Sequence, residues 1–429
     1  MSDATSVLYG LETEFRVVEV TRLDDAEVKI VIEMPPREGP CPSCGVLSSW
    51  IKDRAMVRVK DVPASGQRVQ LWWRKRRLIC TEMACRQRSF TQLSDAIRPR
   101  ARLTERLKDA LARAIASSNR AVAEVASEYG VSWGTAHRAL AAAAVRWLPE
   151  PTPTRVLGLD ETRARSMHHM LAGIGWRRLD PWLTSFVDCS RDGPGSLIGL
   201  TPGRTGAAVQ AWLAEQTPTF RDAIKVVLID TSSPYAGGIR AALPHVQIAV
   251  DKWHLITLAN QMVTTVRQRV TRHRLGRRGR AHDPMWVNRQ LLLLGANRLS
   301  AQQRERLIAI LNTADPSGDL RAAWQVKEQL RMLLAEHQPS RIRGRLADFY
   351  EAAVDPGIPE TIRLAKTIQA WWPAILVALT ENVTNARSEG FNRIIKQTKR
   401  VGCGYRNMIN YQRRILTHIA VTRPRRPAA

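Results

Sequence analysis

Short apolar runs separated by turn residues fill the first hundred positions of the chain. Phe15–Val20 and Val28–Met34 are apolar or alternate between apolar and polar residues, and two aspartates lie between them. Residues 57–62 and 68–73 repeat this arrangement around an Ala-Ser-Gly turn. Such segments, bounded by turn residues, predict β-strands. Residues 1–100 are therefore expected to form a small β module with little apolar core of its own.

A helical period replaces the strand pattern near residue 101. The apolar residues that recur at helical spacing are Leu103, Leu107, Leu111 and Ile115. A second helix is predicted over Asn119–Glu128, Gly130 ends it, and Ser132 is placed to cap a third helix. Two helices joined by a short turn with glycine are typical of a helix-turn-helix motif, although ordinary helical hairpins share the pattern. The outward residues of its recognition helix are predicted to be Trp133, Thr135, His137 and Arg138.

Beyond the prolines at positions 149, 151 and 153, short apolar segments end in acidic residues. These segments and the acids that follow them are Arg155–Leu159 with Asp160, Lys225–Ile229 with Asp230, and Val246–Val250 with Asp251. Further strands are predicted at residues 168–176 and 182–187, and helices at residues 205–216 and 233–243. Three neighbouring strands followed by a crossover helix and another strand indicate a mixed α/β sheet. Functional groups in such sheets gather at the carboxyl ends of the strands.

Residues 255–385 follow a helical pattern almost throughout, which predicts an all-helical insertion after the sheet. Its first part carries a run of arginines, with no acidic residue between Asp251 and Asp283. Charge runs are usually solvated faces, but the absence of compensating acids favours a mobile, DNA-contacting arm. The arginines concerned are Arg267, Arg269, Arg272, Arg274, Arg277, Arg278 and Arg280.

The segment Arg387–Arg400 predicts an amphipathic helix near the basic end of the chain. Its apolar side carries Phe391, Ile394 and Ile395, and the residues on its other side are Glu389, Asn392, Arg393 and Lys396. A single acid among cations is often only ion-paired. It is also suited to binding a metal at a site that holds a polyanion. The terminal residues 423–429 are expected to be disordered.

Composition narrows the possible partners. The chain has 429 residues and a formal net charge of +26, which indicates a polyanionic partner, and nucleic acid fits best. A hydrophobic content of 44% excludes a disordered protein. The sequence has neither an apolar run long enough for a transmembrane helix nor the pattern of a signal peptide. We therefore expect no membrane partner and a cytoplasmic protein, located on the nucleoid if the source is bacterial.

Four cysteines lie in the first 85 residues, in the pairs Cys41/Cys44 and Cys80/Cys85. Their spacing suits the two turns of a four-cysteine zinc ribbon, in which Zn²⁺ has a structural role. Cysteine is sparse elsewhere, which argues against four unrelated buried thiols. Zinc binding would contribute about 10–16 kcal/mol of folding free energy to a β module with a poor core. The cations that precede the second pair, and that predict a phosphate-binding patch, are Arg74, Lys75, Arg76 and Arg77.

The acids that follow the strands predict a second kind of metal site. Asp160 and Asp230 would lie at one edge of the sheet, where two carboxylates repel each other unless cations lie between them. Glu389 completes a set of three oxygen donors, which suits two Mg²⁺ or Mn²⁺ ions about 4 Å apart. Such a pair of ions supports in-line phosphoryl transfer at nucleic acid. Alternatively, each aspartate caps the helix or turn beyond its strand.

Several segments resemble the DDE transposases of bacterial insertion sequences, of the ISL-three type. They are Leu157-Gly-Leu-Asp-Glu161, Leu228-Ile-Asp-Thr-Ser-Ser-Pro-Tyr235, residues 243–254 and Glu389-Gly-Phe-Asn-Arg-Ile-Ile-Lys396. Cys41–Phe90 also resembles the zinc ribbon of that family, and Val401–Arg406 resembles its end. The resemblance implies an RNase H-like catalytic fold with a triad of Asp160, Asp230 and Glu389. This chain departs from the family in its Asp-Lys-Trp-His at 251–254 and in the lone thiol of Cys403.

Other acids compete for places in this triad. Asp251 also follows an apolar strand, but the second aspartate of an RNase H-like sheet belongs on the fourth strand, which ends at Asp230. We therefore place Asp251 and His254 around the site, as groups that support it or position DNA. Glu381 competes with Glu389, but it lacks the basic helix that follows Glu389. The acids expected to neighbour the site without binding metal are Glu161 and Asp188.

Together these features predict an α/β RNase H-like transposase in five regions. They are a β zinc-ribbon module (1–100), a helix-turn-helix module (101–150), the first part of the catalytic core (151–254), an all-helical insertion (255–385), and the closing catalytic helix with a basic tail (386–429). The residues of the closing helix expected to contact DNA are Asn392, Arg393, Lys396, Lys399 and Arg400.

The predicted partner is double-stranded DNA. The N-terminal modules would bind the terminal inverted repeats of an insertion sequence, and the core would cleave the ends and join them to target DNA. A homodimer or higher oligomer on DNA is expected. The alternatives are a DNA-binding transcriptional regulator without catalysis and a structural DNA binder, neither of which needs three carboxylates.

Overall fold

The computed structural model describes residue 6 and residues 9–11, 14–193 and 195–423. The chain divides into two compact units, one of residues 1–149 with 398–424 and the other of residues 150–397 with 425–429. From residue 424 onward, the tail that was expected to be disordered lies outside the described residues.

The strands of the first unit are β1 (Arg16–Arg22), β2 (Glu27–Glu33), β3 (Gly39–Pro40), β4 (Leu47–Ser48), β5 (Ile51–Ala64), β6 (Gln67–Ile79) and β7 (Ser89–Thr91). Its helices are α1 (Glu105–Ala116), α2 (Val122–Glu128), α3 (Trp133–Trp147) and α15 (Met408–Thr422). The strands of the second unit are β8 (Val156–Arg163), β9 (His168–Ala172), β10 (Gly175–Leu179), β11 (Trp182–Asp188), β12 (Leu197–Pro202), β13 (Val226–Ile229) and β14 (Gln247–Val250). Its helices are α4 (Gly206–Ala214), α5 (Pro218–Ala223), α6 (Ser233–Ala242), α7 (Lys252–Leu275), α8 (Pro284–Val287), α9 (Arg289–Leu293), α10 (Ala301–Ala314), α11 (Asp319–Ala335), α12 (Pro339–Val354) and α13 (Pro359–Thr380), with a 3-10 turn at Ala296–Arg298. Helix α14 (Ala386–Val401) begins in the second unit.

The main sheet of the first unit has the order β1-β2-β6-β5, with β2 parallel to β6 and the other neighbours antiparallel. Alternate residues of β2 and β6 point to one face, where Ile30, Ile32, Leu71 and Trp73 are buried together. The expectation of a core-poor module was wrong. Strands β5 and β6 are 14 and 13 residues long, and they contribute Val59, Leu71 and Trp73 to an apolar cluster with Ile30 and Ile32 of β2.

Helices α1, α2 and α3 pack around an apolar cluster that includes Leu107, Ile115 and Val125. Ser132 begins α3 as the sequence predicts, because its hydroxyl accepts a hydrogen bond from Thr135 N at 3.2 Å. A helix, a short turn and a capped helix therefore follow one another as in a helix-turn-helix motif.

The C-terminal helix α15 also packs on α1 and α3. Arg414 is 3% exposed, and its guanidinium donates to Asn119 Oδ1 at 3.1 Å and to the carbonyl oxygen of Arg120 at 2.8 Å. His418 Nδ1 lies 2.6 Å from the carbonyl oxygen of Ala116. These contacts reach the end of α1 and the turn before α2, so a helix from the end of the chain completes the bundle.

Replacing Arg414 with Met is expected to loosen this bundle. The substitution leaves two buried acceptors without their donor, which costs about 1–3 kcal/mol. Hydrogen exchange of the full chain should then show weaker protection of the amides in α1 to α3. Arg413→Met is the control, because Arg413 bonds only to Asn410 on its own helix among the hydrogen bonds described. Equal protection in the two variants would contradict the role of Arg414.

The second unit is built on a mixed sheet with the order β12-β11-β8-β13-β14. Strand β13 runs parallel to β8 and β14, whereas β11 runs antiparallel to β8 and β12. Leu157 and Leu159 of β8 point into the large apolar core. Alternation along the strand places Gly158, Asp160 and Thr162 on the opposite face.

Two strand predictions differ from the structure. Asp160 lies inside β8 rather than after it, because pairing with β11 continues as far as Arg163 opposite Trp182. The strand predicted at residues 168–176 is a hairpin of β9 and β10, whose turn contains Gly173 with a φ of 61°. In the described part of the chain, these two strands pair only with each other.

Helices α7 to α13 occupy the segment that was predicted to be helical, and they share the large apolar core with the sheet. The arginine run begins on α7, and the expectation that it lacks compensating acids was wrong for part of it. Its mobility and its contact with DNA stay predictions. Arg267 is buried, and Arg269 pairs with Asp319 at 2.7 Å and with Glu360 at 2.8 Å. The compensating acids come from α11 and α13, which lie far away in sequence. None of the described helices is both long enough and apolar enough to cross a membrane.

Candidate active site

Helix α14 lies against the face of β8 that carries Asp160. At its start, Asn385 Nδ2 donates to the carbonyl oxygen of Leu159 at 3.3 Å. Gly158 makes this approach possible, because a Cβ there would lie 2.5 Å from Cys189 Sγ and 2.8 Å from Asn385 Oδ1. A glycine two residues before Asp160 therefore lets the helix lie directly on the strand.

Three acids of the sheet converge on this side of the molecule. Asp160, Glu161 and Asp230 each offer a carboxylate oxygen within 4.8 Å of the others. Asp160 belongs to β8 and Asp230 follows β13, and these two strands are parallel neighbours. Glu161 was expected to neighbour the site without binding metal. The structure adds its carboxylate to the group.

His254 connects Asp230 with Asp251. Its Nδ1 lies 3.1 Å from Asp251 Oδ2 and 2.8 Å from Asp230 Oδ1. Only the contact with Asp251 has the geometry of a hydrogen bond, so among the described residues Asp230 Oδ1 is a buried oxygen without a hydrogen-bond partner. Asp230 thus belongs to two groups, one with Asp160 and Glu161 and one with Asp251 and His254.

The electrostatics of the cluster favour a cation. Burial and the neighbouring Asp230 carboxylate raise the pKa of Asp160 to about 7, and the same causes raise the pKa of Glu161. Burial alone would lower the pKa of His254, but the carboxylates of Asp230 and Asp251 raise it to about 10. Crowded carboxylates and a buried oxygen without a donor are what a divalent metal ion stabilises. The donor set therefore fits a metal site.

Asn392 on α14 contacts this cluster directly. It is 7% exposed; its Nδ2 donates to Asp160 Oδ2 at 2.6 Å, and its Oδ1 accepts a hydrogen bond from the Thr162 hydroxyl at 2.6 Å. The prediction that Asn392 contacts DNA is corrected, because the side chain points into the sheet. The sequence signal that was missed is the alternation that places Asp160 and Thr162 on one face of β8.

Glu389 is half-buried and lies one turn of α14 before Asn392. Within the described residues it belongs to neither group of converging ligands, so its place in a triad stays a prediction. Glu381, the competing acid, pairs with Arg155 at 2.7 Å. Asp188 is buried and holds the loop after β11 through hydrogen bonds. The cations further along α14, exposed or half-exposed, are Arg393, Lys396, Lys399 and Arg400.

A second cluster of ligands lies in the first unit. The Sγ atoms of Cys41, Cys44, Cys80 and Cys85 lie within 4.8 Å of one another, with 3.9 Å between Cys41 and Cys85 and 3.6 Å between Cys44 and Cys80. Tetrahedral zinc with Zn–S bonds of about 2.3 Å requires sulfur atoms roughly 3.8 Å apart. The four thiols therefore fit Zn²⁺.

The four cations before the second cysteine pair do not form one surface patch. They lie on β6, where successive side chains point to opposite faces. Arg76 is 7% exposed and donates to the carbonyl oxygen of Met34, which corrects its prediction as a phosphate contact. Lys75 and Arg74 are half-buried, and Arg77 is exposed.

The outward residues of α3 form a continuous face. Trp133 is 53% exposed and stacks on His137 with 4.8 Å between the ring centroids. Arg138 is exposed, and its guanidinium donates to Thr135 Oγ1 at 3.3 Å. Burial, together with Arg413 and Arg138, lowers the pKa of His137 from its ordinary value.

The strongly basic chain combines converging carboxylates on a mixed sheet with a four-cysteine cluster and a helix-turn-helix bundle. Together these are the features of a DNA transposase of the DDE class. The chain belongs to the ISL3 family of transposases, whose catalytic-domain model, described as a transposase, matches residues 157–415. The zinc-finger of transposase IS204/IS1001/IS1096/IS1165 matches residues 37–85, and the helix-turn-helix domain of transposase family ISL3 matches residues 91–144. These matches confirm the predicted zinc-ribbon and helix-turn-helix modules.

A curated relative agrees with this assignment. The transposase for insertion sequence element IS1001 of Bordetella parapertussis is 27% identical to the chain over 371 residues. The aligned part covers 86% of this chain and 85% of the relative. The predicted transposase function is confirmed, and a regulator without catalysis is not favoured.

Proposed function

We propose that this transposase binds the terminal inverted repeats of an insertion sequence, cleaves the DNA at those ends and joins them to target DNA. The observation that carries the proposal is the convergence of Asp160 and Asp230 from neighbouring parallel strands in a chain of this family. One site would serve both steps, with water as the nucleophile for cleavage and a 3′-hydroxyl as the nucleophile for joining.

The strand order supports an RNase H-like catalytic core. Without the β9–β10 hairpin, the strands β8, β11, β12, β13 and β14 are the first to the fifth along the chain, and their order in the sheet is 3-2-1-4-5. The first and fourth strands are therefore neighbours. This is the arrangement that brings Asp160 and Asp230 together, and it favours Asp230 over Asp251 as the second acid.

We assign Asp160, Asp230 and Glu389 as the ligands of catalytic Mg²⁺ or Mn²⁺, and the four clustered cysteines as the ligands of structural Zn²⁺. When bound, the divalent ions stabilise charge on the phosphoryl oxygens and lower the pKa of the attacking hydroxyl or water. His254 Nδ1 lies between the carboxylates of Asp230 and Asp251, and we assign Asp251 and His254 to the surroundings of the site rather than to its metal ligands.

DNA contacts are assigned to cations and polar side chains on three elements. Phosphate contacts fix register and orientation, and base contacts in the major groove supply sequence specificity. The residues assigned are Arg74, Lys75 and Arg77 on β6, Trp133, Thr135, His137 and Arg138 on α3, and Arg393, Lys396, Lys399 and Arg400 on α14. Because both ends of an element must be held for joining, a homodimer or higher oligomer on the DNA is proposed, on the nucleoid of a bacterial host.

Glu389→Gln tests the assignment of the third acid. We expect normal binding of the terminal repeats and a loss of metal-dependent cleavage of about a thousandfold, since several kcal/mol of transition-state stabilisation disappear. Glu381→Gln is the matched control. Because Glu381 pairs with Arg155, this variant should cleave DNA normally. The reverse result, with cleavage lost only in Glu381→Gln, would overturn the assignment.

The DNA that flanks the coding region should also contain the matching inverted ends used as substrate.

A further inference from the structure

An apolar hairpin leaves the sheet next to the catalytic strand. Ile174 is 110% exposed, Trp176 72% and Leu171 63%, and the register pairs Trp176 with Leu171 across β9 and β10. Met167 and Met170 are also exposed. Exposed apolar patches of this kind mark interaction sites, because water contact with them is unfavourable.

The base of the hairpin is held beside the sheet, while within the described residues its two strands pair only with each other. Ala164 N donates to the carbonyl oxygen of Pro181 at 2.8 Å, and Arg165 Nε donates to the carbonyl oxygen of Asp180 at 3.1 Å. Strand β8 ends at Arg163, three residues after Asp160. The tip therefore projects from the strand that carries an active-site carboxylate.

The charge of the segment identifies the partner. Between Thr162 and Leu179 the sequence contains no acid, and its cationic residues are Arg163, Arg165, Arg177 and Arg178. Polyanionic DNA provides phosphates for such a segment and base faces for its aromatic residue. An aromatic side chain stacked on an exposed base contributes about 1–3 kcal/mol, and apolar side chains enter DNA between base steps that they unstack.

We propose that the hairpin of residues 168–179 binds DNA at the position of cleavage, with Trp176 and Ile174 against bases that are unstacked there. A hairpin that holds bases apart stabilises the distorted strand in which the scissile phosphate reaches the carboxylates. This proposal rests on the proposed end cleavage.

The test compares paired and locally unpaired ends. Trp176→Ala is expected to cleave a fully paired terminal repeat about tenfold or more slowly than the parent, as loss of one stacking contact implies. Cleavage should recover on an end with mismatched bases at the cut, and Trp176→Phe should retain activity on both substrates. The end binding of Trp176→Ala, measured by gel shift, and its melting temperature should match those of Ile308→Ala, a variant that removes an exposed apolar side chain on α10.

Three outcomes would overturn the proposal. The first is that Trp176→Ala cleaves paired ends at the parental rate, and the second is that its cleavage rate falls equally on paired and mismatched ends. The third is that its cleavage defect follows a change in the number of protein copies bound to DNA, which would assign the hairpin to contact with a second copy of the chain. Asp160→Asn is expected to be inactive on both substrates. This control distinguishes a failure of the hairpin proposal from a failure of the proposed end cleavage.

An independent observation concerns Asn392, which lies between Asp160 and Thr162. Because its Oδ1 accepts the Thr162 hydroxyl, its Nδ2 must face Asp160, and the reverse amide orientation would set an oxygen against the carboxylate. Asp160 Oδ1 accepts a second hydrogen bond from the Glu161 backbone N at 2.7 Å. Each oxygen of Asp160 is thus held by one donor and keeps a lone pair free.

We infer that Asn392 is a positioning residue, which aims the free lone pairs of Asp160 at the divalent cation. Groups that orient metal ligands in this way affect metal affinity about 10–100-fold when removed. The inference also rests on the proposed function, because it takes Asp160 as a metal ligand.

Asn392→Ala tests this inference through Mn²⁺ binding as well as through activity. We expect the Mn²⁺ concentration that half-maximally raises the melting temperature to increase about 10–100-fold, with cleavage partly recovered at high Mn²⁺. End binding should be unchanged. Gln397→Ala, an exposed position on the same helix, is the control.

A purely structural role would lower the melting temperature without changing the Mn²⁺ midpoint, and that result would overturn the inference. Asn392→Asp, which keeps an acceptor for Thr162 but brings a carboxylate to Asp160, is expected to be as impaired as Asn392→Ala. If Asn392→Ala behaves like the parent while Asp160→Asn is inactive, only the inference about Asn392 fails. If Asp160→Asn is active, the proposed function fails as well.

Discussion

Replacing Asp160 with Asn should eliminate DNA cleavage and leave binding of the terminal repeats intact. The substitution keeps the shape of the side chain and an oxygen that accepts from Asn392, although the oxygen that accepts from Glu161 N becomes an amide nitrogen. It removes the negative charge that a divalent cation requires. Loss of several kcal/mol of transition-state stabilisation corresponds to a decrease of about a thousandfold or more in the cleavage rate. Gel shift and gel-based cleavage of one labelled end measure the two properties on the same preparation.

The same substitution is expected to stabilise the metal-free protein at pH 8. The pKa of Asp160 is raised from 3.8 to about 7 in the folded state, so ionisation of this carboxyl opposes folding as the pH rises through that interval. Asn carries no charge, so Asp160→Asn should melt at a higher temperature than the parent at pH 8, and the difference should shrink toward pH 5. Asp222→Asn, at an exposed position, is the control. A variant that melts lower and binds DNA poorly would contradict both expectations.

Replacing Cys80 with Ser should remove zinc from the first unit and abolish specific binding of the ends. A four-thiolate site contributes on the order of 10–16 kcal/mol to the folding of the segments that it joins. The loss should unfold the knuckles near Cys41 and Cys85, together with the contacts of Leu78 and Phe90. The long strands β5 and β6 should persist, because Leu71 and Trp73 lie in a separate apolar core.

Zinc content, hydrogen exchange and gel shift measure this result directly. Cys403→Ser is the matched control, since Cys403 is an exposed thiol outside the cluster and should leave zinc content unchanged. Chelation of zinc from the parent protein should reproduce the behaviour of Cys80→Ser. If Cys80→Ser retains specific end binding, the ribbon has no part in recognition. If it retains a full equivalent of zinc, the four-cysteine site itself is wrong.

Most of the structural elements could be predicted from local sequence patterns. The two cysteine pairs, the capped helix at Ser132 and the apolar strand before Asp230 each follow from residues close together in the chain, and the structure contains the corresponding elements. The mixed sheet was also predicted from the crossover helices, but they join β12 to β13 and do not show that β13 pairs with β8.

Those local patterns could not predict contacts between side chains that are far apart in the sequence. The acids that compensate Arg269 are 50 and 91 residues away, so the run appeared uncompensated when it was read alone. Asn392 looked like a polar residue of a basic helix face, and only its contact with Asp160, 232 residues earlier, reveals that it is buried. Strand alternation on β6 could have separated Arg76 from its neighbours, since side chains of adjacent strand residues point to opposite faces.

Gly158 gives a practical criterion for recognising defective copies of such an element in a genome. An added methyl group at this position would also lie 3.0 Å from Ser388 Oγ, so the side chains of Cys189, Asn385 and Ser388 would have to shift. We expect this shift to disturb the packing of α14 on β8 that brings Asn392 to Asp160. A copy could therefore retain every acidic residue of the proposed triad and still be inactive. Surveys that count intact copies by their acids alone should overestimate the number of mobile ones, and inclusion of the residue at position 158 should correct part of that error.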